Sequence, residues 1–423
     1  MQTQLAKGVQ LTTVVSHQFK TNQIIFNFRT PITRDVITKR ALISNLLETS
    51  SADYPDQRAL ANALATMYGA AFGAGVSRKG PTHNLRLSLT VANDKYLATE
   101  QPLMQQATEF LQRIILKPLV HDGQFDLPTF ERQVTNLKAA INSVADDKQY
   151  YASQQLNAAL FKDDVAQQIP SYGTVADLEQ LNARDLLSYY QQMWRDDQID
   201  IIVVGDIDEA AILQQWQAVG FTDRLTPRPK PFYRHHNTQT FVERSETQTL
   251  SQAKLNLGYD LPVFYRGAHY YAALVFNELF GGSPLSKLFM NVREKASLAY
   301  YASSALDTFR GVMKVSAGID SRNHDQVLAI IAEQLTAIQN GDFTDELIEQ
   351  LKLGLINDFE SSLDSQRTFA IQALIDDLTQ QDVTDDEWLA NVQAVTREQI
   401  IAVSKMVTLN DGFFLSGAQN ASK

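Results

Sequence analysis

Residues 41–51 read Ala-Leu-Ile-Ser-Asn-Leu-Leu-Glu-Thr-Ser-Ser, apolar and polar side chains mixed at helical spacing. Asn45, Glu48 and Thr49 stand at i, i+3 and i+4, so one helix face carries all three. Working outward, 23–28 alternates as a strand does, and the pattern from 35 to 49 predicts a helix after it. The same opening returns later. Residues 254–258 read as a strand and 267–280 as a helix, so that Phe276-Asn277-Glu278 answers Ser44-Asn45-Leu46. Each half then carries one long helical pattern, 129–160 and 345–378, the second with Leu347, Leu351, Leu355, Phe359 and Leu363 every four residues. The endings match as well. Asn182 with Asp185, and Thr396 with Gln399, supply a capping residue and a polar N3 partner, and a terminal strand follows each helix, 199–205 and 412–417.

This repetition predicts two homologous domains of α+β class: two-layer α/β sandwiches, mostly antiparallel, with helices on one face of each sheet. The expected boundaries are 1–220 and 241–423, joined by a proline-rich linker at 221–240, where alternating prolines favour an extended chain. With 423 residues, more than one domain is expected on size alone. A net charge of −11 argues against nucleic acid, which wants a basic face. The absence of cysteine excludes disulfides, thiol catalysis and thiolate metal ligands. No apolar run has the length of a signal peptide or a membrane span, so the expectation is a soluble cytoplasmic protein.

Chemistry-bearing motifs are few. The seven histidines, at positions 17, 83, 121, 235, 236, 269 and 324, never pair at i, i+3 or i, i+4, and His235 and His236 read as exposed linker residues. The acidic pairs Asp146-Asp147, Asp163-Asp164 and Asp376-Asp377 read as solvated surface or helix ends. There is no Gly-x-Ser-x-Gly elbow, and Gly281-Gly282-Ser283-Pro284 lacks the Lys-Ser/Thr tail of a phosphate loop, reading instead as a helix stop followed by a helix start. What does stand out is the face bearing Asn45, Glu48 and Thr49. An inverted zinc-hydrolase motif, His-x-x-Glu-His, has this spacing with imidazoles at its outer positions. Here the carboxylate is present and both imidazoles are replaced by a neutral amide and a hydroxyl, which are poor ligands for Zn²⁺.

Two further stretches carry a resemblance over nearly the whole chain. Phe280-Gly281-Gly282-Ser283-Pro284-Leu285-Ser286-Lys287-Leu288-Phe289, continued by Val292-Arg293-Glu294-Lys295-Ala296-Ser297-Leu298-Ala299-Tyr300, resembles the second-half signature of the pitrilysin/insulinase superfamily of zinc peptidases. Tyr172-Gly173-Thr174 with Asp177-Leu178, and Val203-Val204-Gly205-Asp206, resemble its first-half markers. The resemblance implies that the first zinc histidine falls on Asn45, the general base on Glu48 and the second histidine on Thr49. It puts the third ligand on Ala140 and a helper carboxylate on Gln133. It also implies that Arg293 and Tyr300 polarise a substrate carbonyl, the plainer alternative being a helix-end ion pair and strand filler. Finally it implies that Phe72-Gly73-Ala74-Gly75-Val76-Ser77 is a sheet edge to which a peptide adds as a strand, with Gly73 and Gly75 allowing close approach.

The expectation is therefore a catalytically inactive peptidase homologue, with no metal, no cofactor and no catalytic residue. It binds an extended peptide, or serves as the non-catalytic subunit, homodimeric or paired with a zinc-motif-bearing sister, of a peptide-processing complex. Without a metal, Glu48 faces water at its bulk pKa near ~15.7 rather than ~7. Two alternatives stay open: an active metalloendopeptidase with non-standard ligands, and a purely structural or oligomerisation subunit.

Overall fold

A computed structural model describes residues 1–98, 102–234 and 240–417. The chain forms two compact units, each containing residues from both halves of the sequence. The first comprises 1–142, 169–231 and 363–380, the second 143–168, 232–362 and 381–423. The main chain crosses from first to second between Pro231 and Phe232, inside the proline-rich segment. The opening of that segment is packed down: Phe221 stacks on Trp194 at 6.1 Å, and Arg224, 5% exposed, donates to the Trp194 carbonyl. His235 and His236 lie outside the described residues.

The first unit is built on β1 (Gln2–Ala6), β2 (Val9–Val15), β3 (Thr21–Pro31), β4 (Ala71–Lys79) and β5 (Thr82–Ala92). A small hairpin, β6 (Val120–His121) with β7 (Gln124–Phe125), stands apart, and β8 (Gln198–Gly205) completes the main sheet in the order β1-β2-β8-β3-β5-β4. The second unit has β9 (Val242–Gln248), β10 (Ala253–Asp260), β11 (Ala299–Asp307), β12 (Val312–Ile319) and β13 (Thr408–Gly417), ordered β11-β12-β10-β13-β9. Set edge to edge, the sheets are copies. β4-β5-β3-β8-β2 matches β11-β12-β10-β13-β9, with three antiparallel pairings followed by one parallel pairing in each. The class and the internal repeat read from the sequence are those of the structure.

Period-two alternation decides which face is covered. In β3, Ile24, Phe26 and Phe28 enter a large core with Leu85, Leu87 and Leu89 of β5 and with Leu42, Ile43 and Leu46 of the helix Arg34–Thr49. Both expected caps form: Asn182 accepts the Asp185 N–H at 2.9 Å, and Thr396 with Gln399 makes a full capping box. Gly173 is needed for packing. Its φ is +88°, and a Cβ there would lie 2.8 Å from the Thr38 Cα. That close approach lets Thr38 Oγ1 accept the N–H of Thr174, whose own hydroxyl caps the Val175–Leu178 turn.

The two long helical patterns are where the reading from sequence fails. Each is two helices: Leu127–Ser143 then Lys148–Leu160, and Asp345–Ser362 then Gln366–Thr379. Asp147 restarts the first by accepting the Tyr150 N–H at 2.9 Å. The break is also where the chain changes unit, because the helix Lys148–Leu160 belongs to the second unit and the helix Gln366–Thr379 to the first. In the second unit Leu156, Leu160 and Phe161 pack on Val312, Phe413 and Leu415. In the first, Ala370 and Ala373 pack on Ile25, Ile202 and Val204, on the sheet face opposite the main core. Each sheet thus has several helices on one face and a single exchanged helix on the other.

Candidate functional site

Helix Arg34–Thr49 lies over β4 and β5, and its C-terminal turn holds the three motif positions. Thr49 Oγ1 donates to its own helix, at the carbonyls of Asn45 (2.9 Å) and Leu46 (3.2 Å), and accepts from Gln133 Nε2 at 3.3 Å. Gln133 is 4% exposed, its Oε1 accepting from Asn136 at 3.4 Å. The structure therefore brings Asn45, Glu48, Thr49 and Gln133 together, and the contact with Thr49 is made by Gln133 rather than by Ala140, two turns further along that helix and exposed. Where two imidazoles and a carboxylate would converge stand two amides and a hydroxyl, of which the Gln133 amide and the Thr49 hydroxyl are already hydrogen-bonded within the protein. This donor set does not fit zinc. Among the described residues no group of three or more His, Asp or Glu could hold a metal ion.

Glu48 has no ion pair among the described residues. Its carboxylate accepts the backbone N–H of Ala74 on β4, and a Cβ built on Gly73 would lie 3.6 Å from its Oε1. Desolvation against the strand raises its pKa, opposed by the Ala74 hydrogen bond. A raised carboxylic pKa means that folding disfavours the ionised form. The cost is present at neutral pH and disappears as the pH falls below the ordinary glutamate value. Glu48→Gln, which keeps the acceptor oxygen, is accordingly expected to melt slightly above wild type at pH 7. The difference should close toward pH 4, and thermal scans across that range that show the reverse order would refute the assignment.

The strand that Glu48 touches is the edge of its sheet, paired among the described residues on one side only, to β5. Phe72, Ala74 and Val76 turn toward the core, leaving Ala71, Gly73, Gly75 and Ser77 on the opposite face. On that face they continue the row of Thr90, Ser88, Arg86 and Asn84 from β5. Two adjoining cavities of about 380 and 430 Å³ run along this face, between β4 and the exchanged helix Gln366–Thr379, and both are bordered by Arg86 and Arg367. Neither glycine is required by the fold. Both have ordinary extended backbone, and a Cβ would meet nothing within 4 Å at Gly75 and only the Glu48 carboxylate at Gly73.

One support of this face was missed from sequence. Asp377 is not solvated surface but 7% exposed, its carboxylate meeting Arg29 Nη2 at 2.6 Å and Arg228 Nη2 at 3.1 Å, while Arg29 also meets Asp200 at 3.0 Å. An aspartate next to another aspartate on a helix carries no local sign that an arginine from β3 will cover it. In the second unit, Arg293 sits in a π-helical stretch, Phe289–Lys295, its guanidinium 4.6 Å from the Phe289 ring centre and 3.6 Å from Glu294. Tyr300 is the extra residue where β11 slips register against β12, and the bulge leaves it 73% exposed.

Fold and site together define a peptidase scaffold of the inverted-motif type whose ligand positions carry no ligands. The comparisons agree. A family model described as "Peptidase M16 inactive domain" matches residues 180–355. A Bacillus subtilis protein described as a probable inactive metalloprotease, YmfF, is 32% identical over 98% of this chain and 97% of its own length. The chain belongs to the M16 peptidase family, among its inactive members. The crystal structure of a conserved protein from Enterococcus faecalis superposes with a TM-score of 0.95 at 42% identity, covering 100% of this chain and 99% of that one. An M16 inactive-domain structure from Pseudomonas fluorescens shares the fold, with a TM-score of 0.78 at 17% identity over 98% and 97% of the two chains. No helix among the described residues is long and apolar enough to cross a membrane.

Proposed function

We propose that this chain binds an extended peptide as an added strand on β4 and does not hydrolyse it, acting as the non-catalytic partner in peptide processing. The observation that carries the reading is the pair of glycines on the open face of an edge strand. A glycine in a strand interior costs about 0.5–1 kcal/mol relative to alanine, and at neither position does the fold need the missing side chain. Bare backbone at an edge is what strand addition uses, since main-chain hydrogen bonds supply the affinity. Glu48 fits the same reading: it occupies the Ala74 amide on the free edge and would yield it to an incoming carbonyl.

The test separates binding from stability. Gly75→Val, placed in open space with favourable strand propensity, is expected to leave the urea midpoint equal or slightly raised. It should weaken binding of an unstructured, N-acetylated and C-amidated peptide pool by at least tenfold. Gly123→Ala, far from β4 in the turn of the β6–β7 hairpin, serves as a control for nonspecific loss. If Gly75→Val binds the pool as wild type does, the β4 reading is wrong.

A further inference from the structure

We infer that the peptide accepted at β4 carries an acidic side chain, read by Arg86 and Arg367; this rests on β4 being the docking edge and adds the ligand's chemistry. The register supplies the geometry. Asn27, Arg86 and Gly75 form one row across β3, β5 and β4, and residues paired in this way project to the same side of the sheet. A strand added outside β4 places its own residue at the next position of that row, about 10 Å from the Arg86 Cα at the usual strand spacing. Between them is Gly75, which has no side chain and open space where one would be. An arginine reaching outward and an acidic side chain reaching inward meet over it. Any larger residue at position 75 would stand in the way.

The second cation comes from the opposite wall. Arg367, on the first turn of the exchanged helix, borders both cavities together with Arg86. Burial lowers the Arg86 pKa, and the positive charge of Arg367 lowers it further, so the two guanidiniums stand close enough to repel. Among the described residues neither makes a hydrogen bond or an ion pair, whereas the nearby carboxylates of Asp200 and Asp377 are committed to Arg29 and Arg228. Lys79 adds positive charge at the far end of the second cavity. Two like charges without a counterion, Arg86 half-buried and Arg367 exposed, in a chain of net charge −11, form a local anion site. Guanidinium forks match carboxylates in bidentate geometry.

The experiment uses the full chain and N-acetylated, C-amidated ten-residue peptides of extended character, identical except for glutamate or glutamine at one central position scanned along the sequence. Wild type is expected to bind the best-placed glutamate peptide about tenfold more tightly than its glutamine twin, the size expected of two partly screened ion pairs. That ratio should shrink as salt is raised. In Arg86→Gln and in Arg367→Gln the ratio should fall toward one, and in Arg86→Glu with Arg367→Glu a lysine peptide should be preferred. Circular dichroism verifies folding, and Arg367, exposed on a helix, keeps one variant usable if those at Arg86 do not fold. A ratio near one in wild type, while Gly75→Val still abolishes binding, would overturn the acidic preference and leave the β4 reading intact. Preference only for a free C-terminal carboxylate would likewise overturn the side-chain assignment. Equal binding of every peptide to wild type and to Gly75→Val would remove both.

Discussion

Arg29→Ala is expected to destabilise the first unit by about 3–5 kcal/mol, the usual consequence of leaving a buried partner charge uncompensated. Its side chain is 3% exposed and lies between Asp200 Oδ1 at 3.0 Å and Asp377 Oδ2 at 2.6 Å. With Arg228 on the other oxygen of Asp377, the cluster holds two cations and two anions. Removing one cation strands a carboxylate that burial already penalises. The Asp200 pKa is raised to about 6, chiefly by desolvation, with Arg29 pulling it back down. A raised acid pKa adds stability that is complete below the unfolded value of 3.8 and is lost as the pH rises through about 6. Without Arg29 that rise grows, so the deficit of the variant should be largest near pH 7–8 and shrink toward pH 5.

Because Asp377 lies on the exchanged helix, the loss should also appear locally. Amide exchange should accelerate in 366–379 ahead of the rest of the unit. Combining Arg29→Met with Asp200→Asn and Asp377→Asn removes every charge that depends on Arg29 and should recover most of the stability. A urea midpoint for Arg29→Ala corresponding to less than about 1 kcal/mol of loss would mean that the cluster is hydrated and contributes little.

The second large effect is a gain. Asn45→His, Thr49→His and Gln133→Glu, with Glu48 kept, are expected to create a zinc site with a Kd below about 1 µM, some 8 kcal/mol, and wild type is expected to bind no zinc in the same assay. Positions 45 and 49 are one turn apart on one face, and Gln133 already reaches Thr49 at 3.3 Å. Two imidazoles and a carboxylate from these positions supply the three-ligand set of an open zinc site. Carrying the glutamate at Ala140 instead should bind the metal at least tenfold more weakly, since Gln133 is the residue that reaches Thr49. Equilibrium dialysis with metal analysis reads both variants. A folded triple variant that takes up no zinc would show that the helices themselves have moved out of ligand geometry, and that the lost side chains are not the whole reason for the missing metal.

Much of the architecture was legible because it is written in local periodicity. Alternation in 23–28 and 254–258, the caps at Asn182 and Thr396, and the matched endings all depend on neighbours a few residues apart, and the structure has each where expected. The degenerate motif was legible for the same reason, since i, i+3 and i+4 share a face in any helix. The helical periods of 129–160 and 345–378 misled because a helix broken by a few residues keeps its apolar pattern on both sides of the break. Nothing local says that the second piece is buried in the other unit.

The sequence by itself determined the class, the internal duplication and the loss of imidazole at the motif, because these follow from residue identity and short-range spacing. Only the tertiary structure decided that a helix from each half is exchanged, that Gln133 meets Thr49, that Asp377 is buried under Arg29, and that Arg86 and Arg367 face the same groove beside two dispensable glycines. Those facts join residues as far as 348 positions apart. They are settled by which surfaces exclude water together, a condition that no window along the chain contains.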